Sequence, residues 1–164
     1  MRIRRPFSAL VAAAAALALV SCTDAGPGES GLPTDAGEGL YPSISVSTSK
    51  GATTAALSLR QVPGGLIFAS YQGEVTFDPN VLTFESAELP AGVEGAANQS
   101  SPGHVRFVGS ALDGTAGTPL LNLRFQAKGQ VTASSFKVVF EEVTDGDFND
   151  LTTKVKPDLI FQSR

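Results

Sequence analysis

The chain has 164 residues and a formal net charge of −4, with one cysteine, one histidine, no tryptophan and two tyrosines. Three of its twelve basic residues lie within residues 1–21, so the remainder carries nine Lys and Arg against sixteen Asp and Glu, a formal net charge of −7. Nucleic acid is excluded as an expected partner, because phosphate backbones are bound by clustered Lys and Arg and no basic run follows residue 21. The acidic balance equally gives no electrostatic attraction to anionic lipid.

Residues 1–21 have the layout of a bacterial export signal. Arg2, Arg4 and Arg5 form a basic start, and residues 10–20 form an uncharged apolar run. That run is shorter than the roughly 20 residues that a membrane-spanning helix requires. A plain secretory peptide cut at a small residue would share this layout. We therefore expect the protein to be exported.

The only cysteine, Cys22, directly follows this segment. Residues 19–22, Leu-Val-Ser-Cys, resemble the lipobox of bacterial lipoprotein signals, which ends in an obligatory cysteine. The resemblance implies that Cys22 becomes the N-terminus and carries acyl chains, two or three of which hold a protein firmly at a bilayer. We therefore predict a lipoprotein held at the bacterial cell membrane or outer membrane through the lipid anchor only. Cys22 would have no redox or catalytic role, and no disulfide can support the fold.

A single domain is expected after a tether. Residues 23–40, which follow the lipidated Cys22, are dominated by Gly, Pro, Ala, Ser, Thr and acids with no apolar periodicity, and this composition predicts a flexible linker. A coil of that length spans roughly 20–25 Å. Residues 41–164 are long enough to bury one core.

From residue 41 onward the apolar residues alternate with polar ones, which is typical of strands with one buried face. The expected inward residues are Ile44, Val46, Leu57, Leu59, Tyr71, Gly73, Val75, Phe77, Val105, Phe107, Gly109, Leu121, Leu123, Phe125, Ala127, Phe136, Val138 and Phe140. Residues 133–142 could be placed on a helix, but their β-branched and aromatic content favours a strand. Many short strands with frequent turn signals predict an all-β, two-sheet sandwich.

Residues 73–89, GEVTFDPNVLTFESAEL, contain a structural turn. The Asp78 carboxylate can accept nearby backbone N–H groups, and Pro79 fixes its own φ and ends the strand. This run resembles the "Y/F-D-P-x-V-L" corner of cohesin domains, which occur in bacterial cellulosomes and in many non-cellulosomal proteins. Residues 46–65 and 103–129 resemble the opening and a later segment of the same domain, so the similarity covers about residues 43–160.

The resemblance implies a β-sandwich of about nine strands with jelly-roll topology. Cellulosomal cohesins bind dockerin modules through one sheet face, so a dockerin-like protein module is the expected partner of this membrane-anchored, non-catalytic chain. No contact residues can be carried over. Related carbohydrate-binding modules share the plan, so a polysaccharide is the alternative ligand, although few rings are present for sugar stacking. A structural envelope lipoprotein that self-associates through a sheet edge is a further alternative.

Little in the chain could carry catalysis, so we predict that it is not an enzyme. His104 is the only histidine, and no nucleophile, metallopeptidase or P-loop motif accompanies it. We expect His104 to be exposed and non-catalytic. Glu85, Glu88, Glu141 and Glu142 could supply carboxylate pairs for glycoside hydrolysis, but solvated strand faces are the favoured interpretation.

The sequence predicts no cofactor, with calcium as a minor alternative. Within residues 144–153, Asp145, Asp147 and Asn149 place oxygen atoms at alternate positions, a spacing that suits Ca²⁺. The full calcium-loop pattern is missing, since neither the required Gly nor the final Glu is present. A hairpin turn built from Asp, Gly and Asn is therefore favoured for this segment.

Overall fold

The computed structural model describes Leu32, residues 36–115 and residues 119–164. The predicted signal, Cys22 and most of the predicted tether lie outside these residues. The described chain contains nine strands: β1 (Gly39–Ser49), β2 (Ala52–Val62), β3 (Phe68–Phe77), β4 (Leu82–Glu88), β5 (Glu94–Ser101), β6 (His104–Thr115), β7 (Leu121–Ala127), β8 (Phe136–Asp145) and β9 (Ile160–Ser163). Short 3-10 turns occur at Ala133–Ser135 and Thr152–Lys154. Within the described residues, no helix is long and apolar enough to span a membrane.

The strands form two sheets. One has five strands in the order β4-β7-β2-β1-β9, and the other has four in the order β5-β6-β3-β8. β9 runs parallel to β1, whereas the other neighbouring strands are antiparallel. The predicted all-β sandwich of nine strands is confirmed. Residues 133–142 form a single 3-10 turn followed by β8, so the strand interpretation of this segment is also confirmed.

The core lies between the sheets and is rich in phenylalanine. The alternating residues predicted to point inward are buried, except Ala127, which is partly buried. In β7, Leu121, Leu123 and Phe125 are fully shielded from solvent. The ring of Phe125 lies at the centre of an aromatic cluster. Its centroid is 5.0 Å from that of Phe77 and 5.9 Å from that of Phe136, both in edge-to-face geometry. Because such pairs add stabilisation beyond area burial, this cluster is a major link between the sheets.

Tyr71 makes a second link between the sheets. Its hydroxyl, on β3, donates a 2.7 Å hydrogen bond to the carbonyl oxygen of Leu120, which precedes β7. Burial raises the pKa of Tyr71 to about 12. Gly109 lies directly opposite Tyr71 on β6, and a Cβ at Gly109 would collide with the tyrosine ring. The glycine therefore makes the space that the ring occupies.

The domain begins earlier than the sequence predicts. β1 starts at Gly39 rather than at residue 41, and the Leu40 side chain is 1% exposed. The backbone N–H of Lys156 donates to the Leu40 carbonyl at 2.7 Å, and Leu40 forms a bridge with Val155. Residues 39 and 40 therefore belong to the sandwich and not to the tether. Their pairing partners are Val62 and Gln61 on β2, and Leu40 also contacts Val155 and Lys156, more than a hundred residues away, which local composition cannot reveal.

A tight turn at Asp78 and Pro79 carries the chain from β3 in one sheet to β4 in the other. The backbone N–H of Asn80 donates to Oδ1 of Asp78 at 2.8 Å. The Asp78 carbonyl accepts from the N–H groups of Val81 and Leu82 at 3.1 and 2.9 Å. Side chain and main chain of Asp78 thus both hold the crossing between the sheets.

The Asp78 carboxylate can be tested by substitution. We expect Asp78→Ala to lower the free energy of unfolding by about 1 kcal/mol, because one side-chain-to-backbone hydrogen bond is lost at an exposed turn. Asp78→Asn is the matched control, since it keeps an acceptor oxygen and should remain close to wild type. Urea unfolding followed by circular dichroism measures both. Equal midpoints for Asp78→Ala and wild type would contradict a stabilising role for the carboxylate.

Candidate functional site

The outer face of the four-stranded sheet is the candidate site. It is formed by the side chains that alternate with the core-facing residues of these strands, and we call it the β5-β6-β3-β8 face. Its central members are Gln72, Glu74 and Thr76 on β3, His104, Arg106 and Val108 on β6, and Lys137, Val139 and Glu141 on β8. The period-two pattern that buries one side of each strand leaves these residues accessible.

Two exposed valines distinguish this face. Among the described residues, four large hydrophobic side chains are exposed, and the two that lie within strands are Val108 (47%) and Val139 (45%). Val108 is paired with Gln72 and Val139 with Glu74, so the valines lie on opposite sides of β3. The five-stranded sheet shows no exposed large hydrophobic residue within the described chain. The two outer faces therefore differ in chemistry.

Charged side chains cross the face and connect its strands. The Arg106 guanidinium on β6 donates to Oε2 of Glu141 on β8 at 2.6 Å, so its side chain extends over the intervening β3. The Gln72 amide donates to Oε2 of Glu142 at 3.2 Å. The pairing of β3 with β8 shifts by one residue next to Gly73. Because of this shift, the consecutive residues Glu141 and Glu142 are both exposed. Glu141 and Glu142 are exposed on this strand face, as predicted, and each also has a polar partner on a neighbouring strand.

His104 is paired with Glu74, which the sequence reasoning did not single out. Nδ1 of His104 lies 3.0 Å from Oε1 of Glu74, and both side chains are only partly exposed. An ionised carboxylate has no donor, so Nδ1 carries the shared proton. The hydrogen bond from His104 holds the pKa of Glu74 below its ordinary value. His104 is the first residue of β6, and its side chain is 41% exposed.

An open depression of about 300 Å³ lies on the β5 side of the face. It is lined by Gln72, Ala96, Asn98, Ser100, Arg106, Phe107 and Val108. The ring of Phe107 is buried in the core, and both tyrosines, Tyr41 and Tyr71, are buried as well. Within the described residues, the face therefore offers no aromatic ring on which a sugar could stack.

The predicted calcium segment forms a tight turn. Oδ1 of Asp145 accepts the backbone N–H groups of Asp147 and Asn149 at 2.9 Å each, and the Asn149 amide donates to Oδ2 at 3.0 Å. The Asn149 side-chain hydrogen bond holds the pKa of Asp145 below its ordinary value. The described residues contain no group of three or more His, Cys, Asp or Glu placed to hold a metal ion. Calcium binding stays a prediction.

The other predicted carboxylates lie apart from this face. Glu85 and Glu88 are on β4, at the edge of the five-stranded sheet, and Oε2 of Glu88 is 3.9 Å from Nη2 of Arg124. They are not brought together with Glu141 and Glu142, which are on the other sheet. The fold therefore does not pair the glutamates of β4 with those of β8.

Among known proteins, similarity to this chain was found only with solved structures. No protein-family model and no curated protein matches the chain. Among solved structures, it is similar to the sixth cohesin of scaffoldin B from Acetivibrio cellulolyticus, solved in complex with a Cel5 dockerin mutant, at 19% identity and a TM-score of 0.55, over 77% of this chain and 99% of that chain. The domain has the cohesin fold.

Two further neighbours extend this similarity. A non-cellulosomal cohesin from the archaeon Archaeoglobus fulgidus matches at 12% identity and a TM-score of 0.56, over 77% of this chain and 91% of that chain. A type I cohesin–dockerin complex from Clostridium thermocellum matches at 13% identity and a TM-score of 0.54, over 77% and 99%. These matches confirm the cohesin-like resemblance. The prediction that the chain is not an enzyme agrees with neighbours that are cohesin modules.

The pairing of Glu74 with His104 can be tested by titration. Above its unfolded-state pKa, Glu74 contributes its full stabilisation, which is lost as the pH falls through the lower folded-state pKa. In His104→Ala, we expect the carboxyl midpoint of Glu74, measured by ¹³C NMR, to rise towards the ordinary glutamate value. Arg124→Ala, on the other sheet, should leave it unchanged. An unmoved midpoint in His104→Ala would show that the hydrogen bond is not the cause.

Proposed function

We propose that this protein is an exported, lipid-anchored and non-catalytic binding module that holds a dockerin-like protein partner on its β5-β6-β3-β8 face. The observation that carries this proposal is the cohesin fold, since several of its neighbours were solved in complex with dockerins. At identities of 12 to 19%, those complexes suggest the class of partner and not its contacts. The choice of face rests on this chain's own residues.

The chemistry of the face suits a protein surface. Protein interfaces combine an apolar centre with polar groups around it, and arginine is enriched among their strongest contacts. Val108 and Val139 supply exposed apolar area on both sides of β3. Arg106, already held by Glu141, presents a positioned guanidinium between them. A side chain that is fixed before binding loses less conformational entropy when the partner arrives.

A polysaccharide ligand is less well supported. Sugar-binding faces present accessible aromatic rings, and the only exposed aromatic side chain among the described residues is Phe148, which lies in the loop after β8. Self-association through the free edge of β5 or β8 remains an outcome that the binding experiment can reveal. Both alternatives predict that no exported protein partner is retained by the domain.

Membrane anchoring is the second part of the proposal. Its support is the sequence of residues 1–22: the basic start, the apolar run and the lipobox-like ending at the only cysteine. The acidic mature chain would not be attracted to anionic lipid, so acylation of Cys22 would supply the attachment. The binding face would then be displayed from the bacterial cell membrane or the outer membrane.

The binding face can be tested with two arginines of equal exposure. Arg106 on the face and Arg124 on the five-stranded sheet each have a side chain that is 59% exposed. Exported proteins of the source organism are passed over residues 36–164, and a retained protein is purified and measured by calorimetry. We expect Arg106→Glu to weaken binding at least tenfold, about 1.4 kcal/mol, because it places a like charge beside Glu141.

The matched control is Arg124→Glu, which should change the affinity less than twofold. Equal losses in both variants would contradict the assignment of the face. Retention of polysaccharide alone would favour the alternative ligand. Concentration-dependent sedimentation with no retained partner would favour self-association.

The lipid anchor can be tested in cells. We expect Cys22→Ala to abolish incorporation of labelled palmitate and to leave an unprocessed precursor, because the thiol is the proposed site of acylation. Ser47→Ala, a control change in an exposed strand residue, should be labelled like wild type. Palmitate incorporation into Cys22→Ala would overturn the lipoprotein proposal without affecting the binding-face proposal.

A further inference from the structure

The residues that precede β1 enter the sandwich at one of its two ends. β1 begins there at Gly39, directly opposite Val62 at the end of β2. The loop 63–67 then leads to Phe68, which is paired with Asp145 at the end of β8. Residues 36–38, the loop 63–67 and the loop that starts at residue 146 are therefore at the same end. We call this the N-terminal end of the sandwich.

Phe148 is fixed in an exposed position at this end. Its side chain is 77% exposed, and its φ of 62° is in the left-handed region that bulky residues rarely occupy. The Phe148 N–H donates to the Asp145 carbonyl at 3.0 Å, and Oδ1 of Asp145 accepts the N–H groups of Asp147 and Asn149. This turn holds the backbone in an unfavourable conformation while the ring faces solvent. Such strain at an exposed ring points to a function.

A second exposed apolar side chain belongs to the same end of the sandwich. Ile67 is 48% exposed, and its carbonyl accepts the N–H of Gly146 at 3.1 Å. Ile67 and Phe148 are the two exposed large hydrophobic residues of the described chain that do not belong to the β5-β6-β3-β8 face. The proposed dockerin-like contact therefore leaves both of them unexplained.

We propose that Phe148 and Ile67 insert into the interfacial layer of the membrane to which Cys22 is anchored, so that the N-terminal end of the sandwich rests on the bilayer. This inference rests on the lipid anchoring proposed above. Sixteen residues separate Cys22 from Gly39. Even fully extended, they reach at most roughly 60 Å. The lipid anchor therefore keeps the patch within a short distance of the bilayer.

The lipid anchor makes a weak contact sufficient. Two apolar side chains would give only marginal membrane affinity to a protein free in solution. When the anchor is already in the bilayer, insertion becomes an intramolecular step with an effective concentration in the millimolar range. The neighbouring Asp147 and Asp150 argue against attraction to anionic headgroups, so burial of the ring and not charge would drive the contact.

The contact would also orient the binding face. β1 and β2 in one sheet, and β3 and β8 in the other, run from the N-terminal end towards the opposite end of the sandwich. With the N-terminal end on the bilayer, the β5-β6-β3-β8 face would stand upright on the membrane and remain accessible from the side. A partner could then bind the face without displacing the membrane contact.

The test uses the chain from Cys22 to Arg164, coupled through its only thiol to a maleimide lipid in phosphatidylcholine vesicles. Chemical coupling installs the anchor whether or not cells acylate Cys22, so failure of the anchoring proposal and failure of this inference are separate results. The chain contains no tryptophan, so Phe148→Trp introduces a single fluorescent reporter. Val139→Trp, on the β5-β6-β3-β8 face, is the matched control.

We expect the emission of Phe148→Trp to shift to shorter wavelength on coupling and to be quenched by brominated phosphatidylcholine. The emission of Val139→Trp should do neither, and Ile67→Trp should behave like Phe148→Trp.

Flotation verifies that the chain is coupled to vesicles, and thermal melting verifies that each variant is folded. If Phe148→Trp unfolds, Ile67→Trp alone is used for the test. Absence of quenching at positions 67 and 148 in coupled, folded chains would overturn the inference, as would equal quenching at position 139. Loss of protein-partner affinity in Phe148→Ser, without quenching of Phe148→Trp, would assign the patch to that partner and also overturn it.

Discussion

The packing of aromatic rings between the two sheets is the contact on which the rest of the structure depends. The only cysteine precedes the sandwich, so no disulfide links the sheets, and Phe77, Phe125 and Phe136 bring them together in edge-to-face contacts. Because one side of every central strand is committed to this core, the opposite side is left to face solvent. The same alternation that folds the chain thus creates two outer faces, and only one of them carries Val108 and Val139.

The sequence predicted those parts of the fold that rest on local alternation. β7 and β8 have apolar residues at every second position, and their inward sides were identified correctly. β5 gives no such signal, because it is an edge strand whose residues are almost all exposed, with only Ala97 partly buried against the core. The start of β1 was placed two residues late, because Leu40 is buried and bridged to Val155, a distant residue that adjacent residues do not indicate. The local sequence pattern does not predict the burial of a residue when that burial depends on distant segments of the chain.

The candidate site was less predictable for the same reason. Glu74 and His104 are 30 residues apart, and Arg106 and Glu141 are 35 apart, so their pairing depends on strand order and register. The register shift beside Gly73 decides which glutamates face Arg106. A glycine within a strand is compatible with such a shift, but it does not indicate which distant residues the shift brings together. Phe148 likewise lies in a turn whose Asp, Gly and Asn content predicts its shape but not the exposure of its ring. The composition predicted the turn, whereas the exposure of Phe148 became apparent only in the structure.

The separation of these features along the molecule gives each a distinct physical task. Asp145 uses its carboxylate to close the turn that exposes Phe148, so this group is engaged in local structure. Arg106 and Glu141 neutralise each other across β3, which lets a charged face remain beside exposed valines without large repulsion. A partner that displaces water from Val108 and Val139 would find these charges already positioned. The face could therefore bind through apolar contact while its ion pair sets orientation, because fixed charges discriminate between docking geometries more than they add affinity.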